Sequence, residues 1–184
     1  MSVKSFNDRP ETKQGFIGES LIARWLNSRG WNVLPAYQVE SDEGKGPRLY
    51  LANFQQRITP DMLVFKDMEF RWIEAKTKSA FTWYRKTGTW QTGINRRHWR
   101  DYQAVRIETG LEIWILFLHQ PGSAAKDTPT GMVSPSGLYG REILDLQKSV
   151  DHESDICGSK VYWNMRTLIR MATWEDIMRT AGGK

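Results

Sequence analysis

A single cysteine, Cys157, stands in a chain of 184 residues, which excludes an internal disulfide framework and any four-cysteine zinc or iron–sulfur site. The three histidines, His98, His119 and His152, are scattered and lack the close spacing of a zinc site. Long hydrophobic runs are missing too. No stretch approaches the roughly 18 apolar residues that cross a bilayer, and the opening MSVKSFNDRP has no apolar core of a signal peptide. These absences lead to the expectation of a cytoplasmic protein with no membrane partner. What is present is ordinary globular material, 40% hydrophobic and 26% charged, with no internal repeat. That length suits one domain with a sizeable core.

The net charge of +5 biases the chain toward polyanions, but its distribution says more than its total. Between Lys76 and Arg100 there is no acidic residue. The window holds Lys76, Lys78, Arg85, Lys86, Arg96, Arg97 and Arg100, interleaved with Phe81, Trp83, Tyr84, Trp90 and Trp99. Cations for phosphates and flat rings for bases or sugars suit a nucleic-acid surface. The alternative is a solvated basic face whose aromatic rings point into the core. The nine tryptophans as a set read mostly as core material and site walls.

Along the chain, residues 1–10 read as a loose arm, and Pro10 fits the first turn of a helix that runs to about Arg29 and stops at Gly30. On that helix Phe16, Ile22, Ala23 and Leu26 place Glu19 on an apolar stripe, an odd position for a carboxylate. Residues 31–39 read as a strand bent at Pro35, followed by a polar loop holding Glu40, Asp42 and Glu43. Pro60–Phe65 and Phe70–Lys76 read as strands joined across a turn at Lys66–Glu69, in which Asp67 and Glu69 are expected to be solvated. Thr87–Gly93 reads as a loop or short hairpin, 95–109 as a helix stopped by Gly110, and 111–118 as a buried strand. Residues 120–137 form a long loop. A helical turn at 141–148, a strand at 160–165 and a closing helix at 174–180 follow. The expected order is helix, three strands, helix, strand and then an extension: an α/β fold with a mixed central sheet flanked by helices.

Strand geometry supplies the chemistry. Side chains alternate faces, so Trp72, Glu74 and Lys76 share one side and Ala75 points to the other. Antiparallel pairing of the two strands would bring Asp61 to Glu74 and Lys76. Two carboxylates and a lysine on one patch suit phosphodiester hydrolysis. Hard oxygens hold Mg²⁺, the ion offsets the charge of acids that would otherwise repel a phosphate, and the lysine can position a water, or deprotonate it if its own pKa is depressed.

Pro60-Asp61, twelve intervening residues and Glu74-Ala75-Lys76 together resemble the motif of the PD-(D/E)XK nucleases. The resemblance covers about residues 11–118 and is nearest in pattern to the resolvase-like and RecB-like members. It implies a restriction-endonuclease-like core in a single nuclease domain, with 138–184 as a C-terminal extension that matches no motif. It implies that Asp61, Glu74 and the Ala75 carbonyl bind the metal and that Lys76 is the catalytic lysine. It also implies that Glu19 is a further ligand, a part-exposed helix residue being the alternative. In Asp101-Tyr102-Gln103 it singles out Gln103, rather than Tyr102, for contacting substrate or orienting the lysine, against a plain surface glutamine. His98, one turn before Tyr102, faces either substrate or solvent.

The expected function is therefore Mg²⁺-dependent hydrolysis of DNA, with Mn²⁺ able to substitute. Lys78, Trp83, Tyr84, Arg85, Lys86, Arg96, Arg97 and Arg100 would grip the backbone. No reading module is apparent, so cutting selective for structure, or weakly for sequence, is expected. The source implied by the resemblance is a phage or mobile element acting in the bacterial cytoplasm. RNA remains an open substrate, and a homodimer would allow both strands to be cut. A sequence-specific restriction-type enzyme and a catalytically silent DNA-binding module of the same fold are the competing expectations.

Overall fold

The computed structural model describes residues 10–36, 47–122, 128–155 and 158–182. The N-terminal arm, the acidic loop with Glu40, Asp42 and Glu43, the end of the strand expected at 31–39, the middle of the 120–137 loop and Cys157 lie outside the described residues.

The chain opens with α1 (Pro10–Ser28), whose Ile22, Trp25 and Leu26 are buried on the sheet, whereas Phe16, expected on the same stripe, is exposed. Next come β1 (Asn32–Pro35), a small hairpin of β2 (Arg48–Tyr50) and β3 (Gln56–Ile58), and the pair β4 (Met62–Lys66) and β5 (Glu69–Lys78). β4 and β5 are antiparallel, from Met62 opposite Ile73 to Lys66 opposite Glu69. Their two-residue turn puts both Asp67 (φ 49°) and Met68 (φ 68°) in the left-handed region, the geometry whose twist matches a hairpin. A second hairpin, β6 (Thr82–Tyr84) and β7 (Thr89–Asn95), leads into α2 (Arg96–Thr109). The Asn95 side chain caps α2 by accepting the Arg97 N–H at 2.8 Å, and Gly110 ends it in the left-handed conformation at φ 69°.

β8 (Glu112–His119) lies parallel to β5 along its length and is buried on both faces, which explains its unbroken apolar run. Beyond it come β9 (Gly137–Glu142), α3 (Ile143–Lys148), β10 (His152–Ser154), β11 (Lys160–Asn164), β12 (Ile169–Ala172) and α4 (Trp174–Gly182). The central sheet has the order β1-β4-β5-β8-β9-β12 and is mixed, β5–β8 being its parallel pair. A second, antiparallel sheet has the order β10-β11-β7-β6.

Several expectations need correction. The β2–β3 and β6–β7 hairpins interrupt the simple order of helix, three strands, helix and strand. Residues after 137 are woven into both sheets rather than appended: β9 and β12 extend the central sheet, and β10 and β11 complete the second. The turn expected from Arg141 becomes helical only at Ile143, because Arg141 and Glu142 still belong to β9. β9 eluded the sequence pattern because its glycines look like loop punctuation. At Gly140 a Cβ would overlap the Leu116 side chain on the neighbouring strand, so glycine there marks close packing within a strand.

Helices α1 and α4 cover one face of the central sheet, burying Ile22, Leu26 and Ile177 against Val64, Ile73, Leu116 and Leu138. Such side chains contribute about 1.5–3 kcal/mol each when fully buried. The other face carries α2, α3 and the second sheet, with Trp99, Tyr102, Phe117 and Trp163 in its core. No helix among the described residues is long and apolar enough to cross a membrane.

Candidate active site

The site begins with a missing hydrogen-bond partner. β5 runs on to Lys78, but its ladder with β4 ends at Ile73, opposite Met62. Proline at position 60 has no N–H to offer a ladder carbonyl. On the donor side of Ala75, the Asp61 side chain stands in for a strand carbonyl: its Oδ2 accepts the Ala75 N–H at 2.8 Å. A strand residue presents its N–H and C=O to the same edge, so the Ala75 carbonyl faces this gap as well.

The gap also joins the two faces of the sheet. Glu74 and Lys76 project toward α2, whereas Ala75 faces α1. Glu19 on α1 comes near enough for its charge to act on Asp61 and Lys76. Its approach depends on Gly18, where a Cβ would collide with Thr77 of β5, so only glycine lets the helix lie this close. Sequence reasoning overlooked Gly18; its one signal was adjacency to a carboxylate on an apolar face.

Electrostatics set this cluster apart. Glu74 is fully buried at 0% exposure. Lys76 ion-pairs with it, yet neither Glu74 oxygen has a hydrogen bond of good geometry among the described residues. Burial, then the charge of Glu74, raises Asp61 to about 7, despite the opposing Lys76 and the Ala75 N–H. Burial, then Asp61, raises Glu19 to about 7. For Lys76, burial works against the charge, but Glu74 and Asp61 outweigh it and push the ammonium above its usual range. Glu74 and Asp61 thus hold Lys76 as a cation and a hydrogen-bond donor.

From α2 the residue facing the acids is Tyr102. Burial, then Glu74 and Asp61, raises its hydroxyl well above the usual phenol value. His98 Nδ1 lies 3.5 Å from the Tyr102 hydroxyl, at the limit of a hydrogen bond, and burial followed by Lys76 lowers the pKa of this imidazole. Gln103 is half-buried and makes no side-chain hydrogen bond among the described residues. A signal for Tyr102 was available, because Trp99, Tyr102 and Val105, at three-residue spacing, form the buried stripe of α2. Trp72 is half-buried on the Glu74 side of β5 and packs against the neighbouring core.

The basic aromatic segment is dispersed. Phe81, Trp90 and Trp99 are core residues. Trp83 packs edge-on against Trp90, their ring centres 5.0 Å apart, and Tyr84 stacks on His152 at 4.4 Å. Arg96 is held by Glu153 at 2.7 Å and Asp155 at 2.9 Å. Arg85, Lys86, Arg97 and Arg100 are exposed, and Arg97 and Arg100 line a surface recess with Asn95 and Asp101 at the start of α2. Lys78 is half-buried at the end of β5. Elsewhere, Glu69 pairs with Arg71 at 2.9 Å, and buried His119 stacks on Phe81 with ring centres 3.5 Å apart.

No family model and no curated protein matches the sequence. Among solved structures, the chain is similar to Hjc, a Holliday junction resolvase of the hyperthermophilic archaeon Archaeoglobus fulgidus. The likeness covers 83% of this chain and 90% of that one, at a TM-score of 0.49 and 8% identity.

The donor set fits a hard divalent cation in its chemistry. Glu74 holds buried oxygens with no well-formed hydrogen bond among the described residues, and burial and mutual repulsion raise Asp61 and Glu19 even against Lys76, a conflict that a bound cation would relieve. Among the described residues no three acidic, histidine or cysteine side chains are already gathered closely enough to enclose an ion, and Lys76 is the cation in contact with Glu74.

Proposed function

We propose that the protein is a divalent-metal-dependent nuclease of the PD-(D/E)XK type that hydrolyses DNA phosphodiester bonds. The supporting observation is the Asp61 carboxylate in the ladder gap opposite Ala75, where it meets buried Glu74, Lys76 and Glu19. Asp61, Glu74, Glu19 and the Ala75 carbonyl would hold Mg²⁺ or Mn²⁺. A cation bound there supplies Lewis acidity toward a phosphate oxygen and offsets the charge of the acids.

In the reaction a water oxygen forms a new bond to phosphorus, the ester P–O bond breaks, and the departing oxygen takes up a proton. Lys76, held as an ammonium, orients the water or neutralises a phosphate oxygen through donated hydrogen bonds. The Tyr102 hydroxyl holds the carboxylate and lysine in place from α2, the role assigned to Gln103 from the sequence alone. Lys78, Arg97 and Arg100 carry the phosphate contacts. A DNA-binding module without catalysis is the second reading, favoured by one observation, the closed Glu74–Lys76 pair.

Incubation with labelled duplex, single-stranded, flapped and branched DNA decides between them. Cutting is expected with Mg²⁺ or Mn²⁺ and not with EDTA, and Asp61→Ala should lower it by more than about 100-fold, the upper range seen when groups that merely support metal ligands are removed. Binding without cutting on every substrate would instead establish the silent module. Discrete fragments from long DNA would mark a sequence-specific enzyme; cuts confined to flaps or branches would mark structure selectivity.

A further inference from the structure

We infer that Lys78 and Lys160 form a phosphate-binding subsite between the two sheets, taking a phosphodiester next to the one that is cut; this rests on the nuclease reading above. Lys78 is the last residue of β5, on the same side of the strand as Glu74 and Lys76. Lys160 is the first residue of β11 and pairs with Asn95, the cap of the helix that carries His98 and Tyr102. Both lysines are half-buried. Each sheet therefore contributes one cation to the rim of the candidate site.

Among the described residues no acid pairs with either lysine. Burial, then the charges of Lys76 and Lys160, lowers the Lys78 ammonium to about 8. Glu74, the acid acting on Lys78, is already in contact with Lys76. Near Lys160, the β10 residues Glu153 and Asp155 flank its pairing partner Ser154, but both are held by Arg96. His119, opposite Lys78 on β8, is kept neutral by burial and then by the charge of Lys78, which lower it to about 3, so it adds no further positive charge. No ion pair reaches Lys78 or Lys160 among the described residues.

Half-buried like charges without a counter-ion raise the free energy of the empty protein, and a bound anion recovers that cost. A phosphodiester is the fitting anion, because a nucleic-acid strand presents further phosphates at fixed spacing from the one at the carboxylates. Lysine serves such contacts as a point charge. The subsite would give the residues after 137, which match no motif, a direct part in gripping substrate.

The test is anisotropy of a short labelled DNA duplex, titrated over a series of KCl concentrations at constant Ca²⁺, with gels confirming that the DNA stays intact. Lys78→Gln and Lys160→Gln should each weaken binding and reduce the slope of log affinity against log salt by about 1. Lys160→Arg should retain the slope, and so should Lys148→Gln on α3, which removes an exposed lysine paired with Asp145 at 3.9 Å. Circular dichroism checks folding, and Lys78→Met, which keeps the packing of the stem, replaces Lys78→Gln if that variant does not fold. Unchanged slopes in the Lys78 and Lys160 variants, or a loss at Lys78 with none at Lys160, overturn the two-lysine subsite while leaving the nuclease reading intact. An unaltered chain that binds no DNA overturns both.

Discussion

The gap beside β5 and the second sheet treat charge in opposite ways. At the gap, three carboxylates and a lysine are drawn together in a poorly solvated place, and Glu19 and Asp61 hold their protons up to about 7. Around the second sheet, Arg96 at the start of α2 is matched by two acids, Tyr84 and His152 are stacked, and Trp83 leans on Trp90. The sequence makes the second region look the more functional, with its run of cations and rings. The structure shows that much of that run is packing and local pairing, whereas the gap stores an electrostatic conflict that folding alone does not explain. Unresolved burial of charge is the better sign of a site than composition.

The largest effect on this contrast should come from Gly18→Ala. It pushes α1 away from Thr77 and takes Glu19 from the gap without touching an ionisable group. Overpacking of this kind costs about 1–3 kcal/mol, so denaturant unfolding should register the loss of stability, and metal-dependent cutting should fall with it. Full activity and unchanged stability would mean that Glu19 need not sit where α1 places it.

The next prediction concerns pH. Asp61 and Glu19 ordinarily titrate at 3.8 and 4.5 and are raised to about 7 in the fold. Between those values the folded chain binds more protons than the unfolded one, so their contribution to stability is fully present below about pH 4 and is lost as pH rises through 7. In EDTA the melting temperature should therefore fall from pH 5 to pH 8. Mn²⁺ should restore more of it at pH 8 than at pH 5, because the ion binds the ionised acids. A melting temperature in EDTA that rises across this window would contradict the electrostatic conflict at the gap.

A smaller effect separates adjacent residues of α2. Tyr102→Phe should reduce cutting by about 10-fold, in the range for groups that orient metal ligands, whereas Gln103→Ala should change it little. The reverse order would return the role to Gln103. The smallest expected effect lies at the start of α2, beside the second sheet. Arg96→Ala should lower stability and leave the salt dependence of DNA binding nearly unaltered, while Arg97→Ala and Arg100→Ala should each flatten it by about 1. A flattened slope for Arg96→Ala would show that its acids release it to DNA.

What the sequence made legible follows from local rules. The alternation around Glu74 and Lys76, the turn at Asp67–Met68 and the stops at Asn95 and Gly110 are each decided within a few residues. What stayed hidden depends on distant partners. Gly140 looked like a loop residue because its reason, the Leu116 side chain, lies on another strand. Tyr102 and Gln103 differ only in which way α2 is rolled, and the burial of Trp99 and Val105 settles that. Lys160 carries no pattern of its own and gains a role only through the pairing of β11 with β7.

The central claim is that the acids at the gap hold a divalent cation, and calorimetric titration of Mn²⁺ into the protein at pH 7.5 or so tests it most directly. The unaltered chain should show saturable binding that Asp61→Ala abolishes while its circular dichroism stays unchanged. Binding of equal strength in a folded Asp61→Ala variant, or no binding by the unaltered chain, would contradict the account.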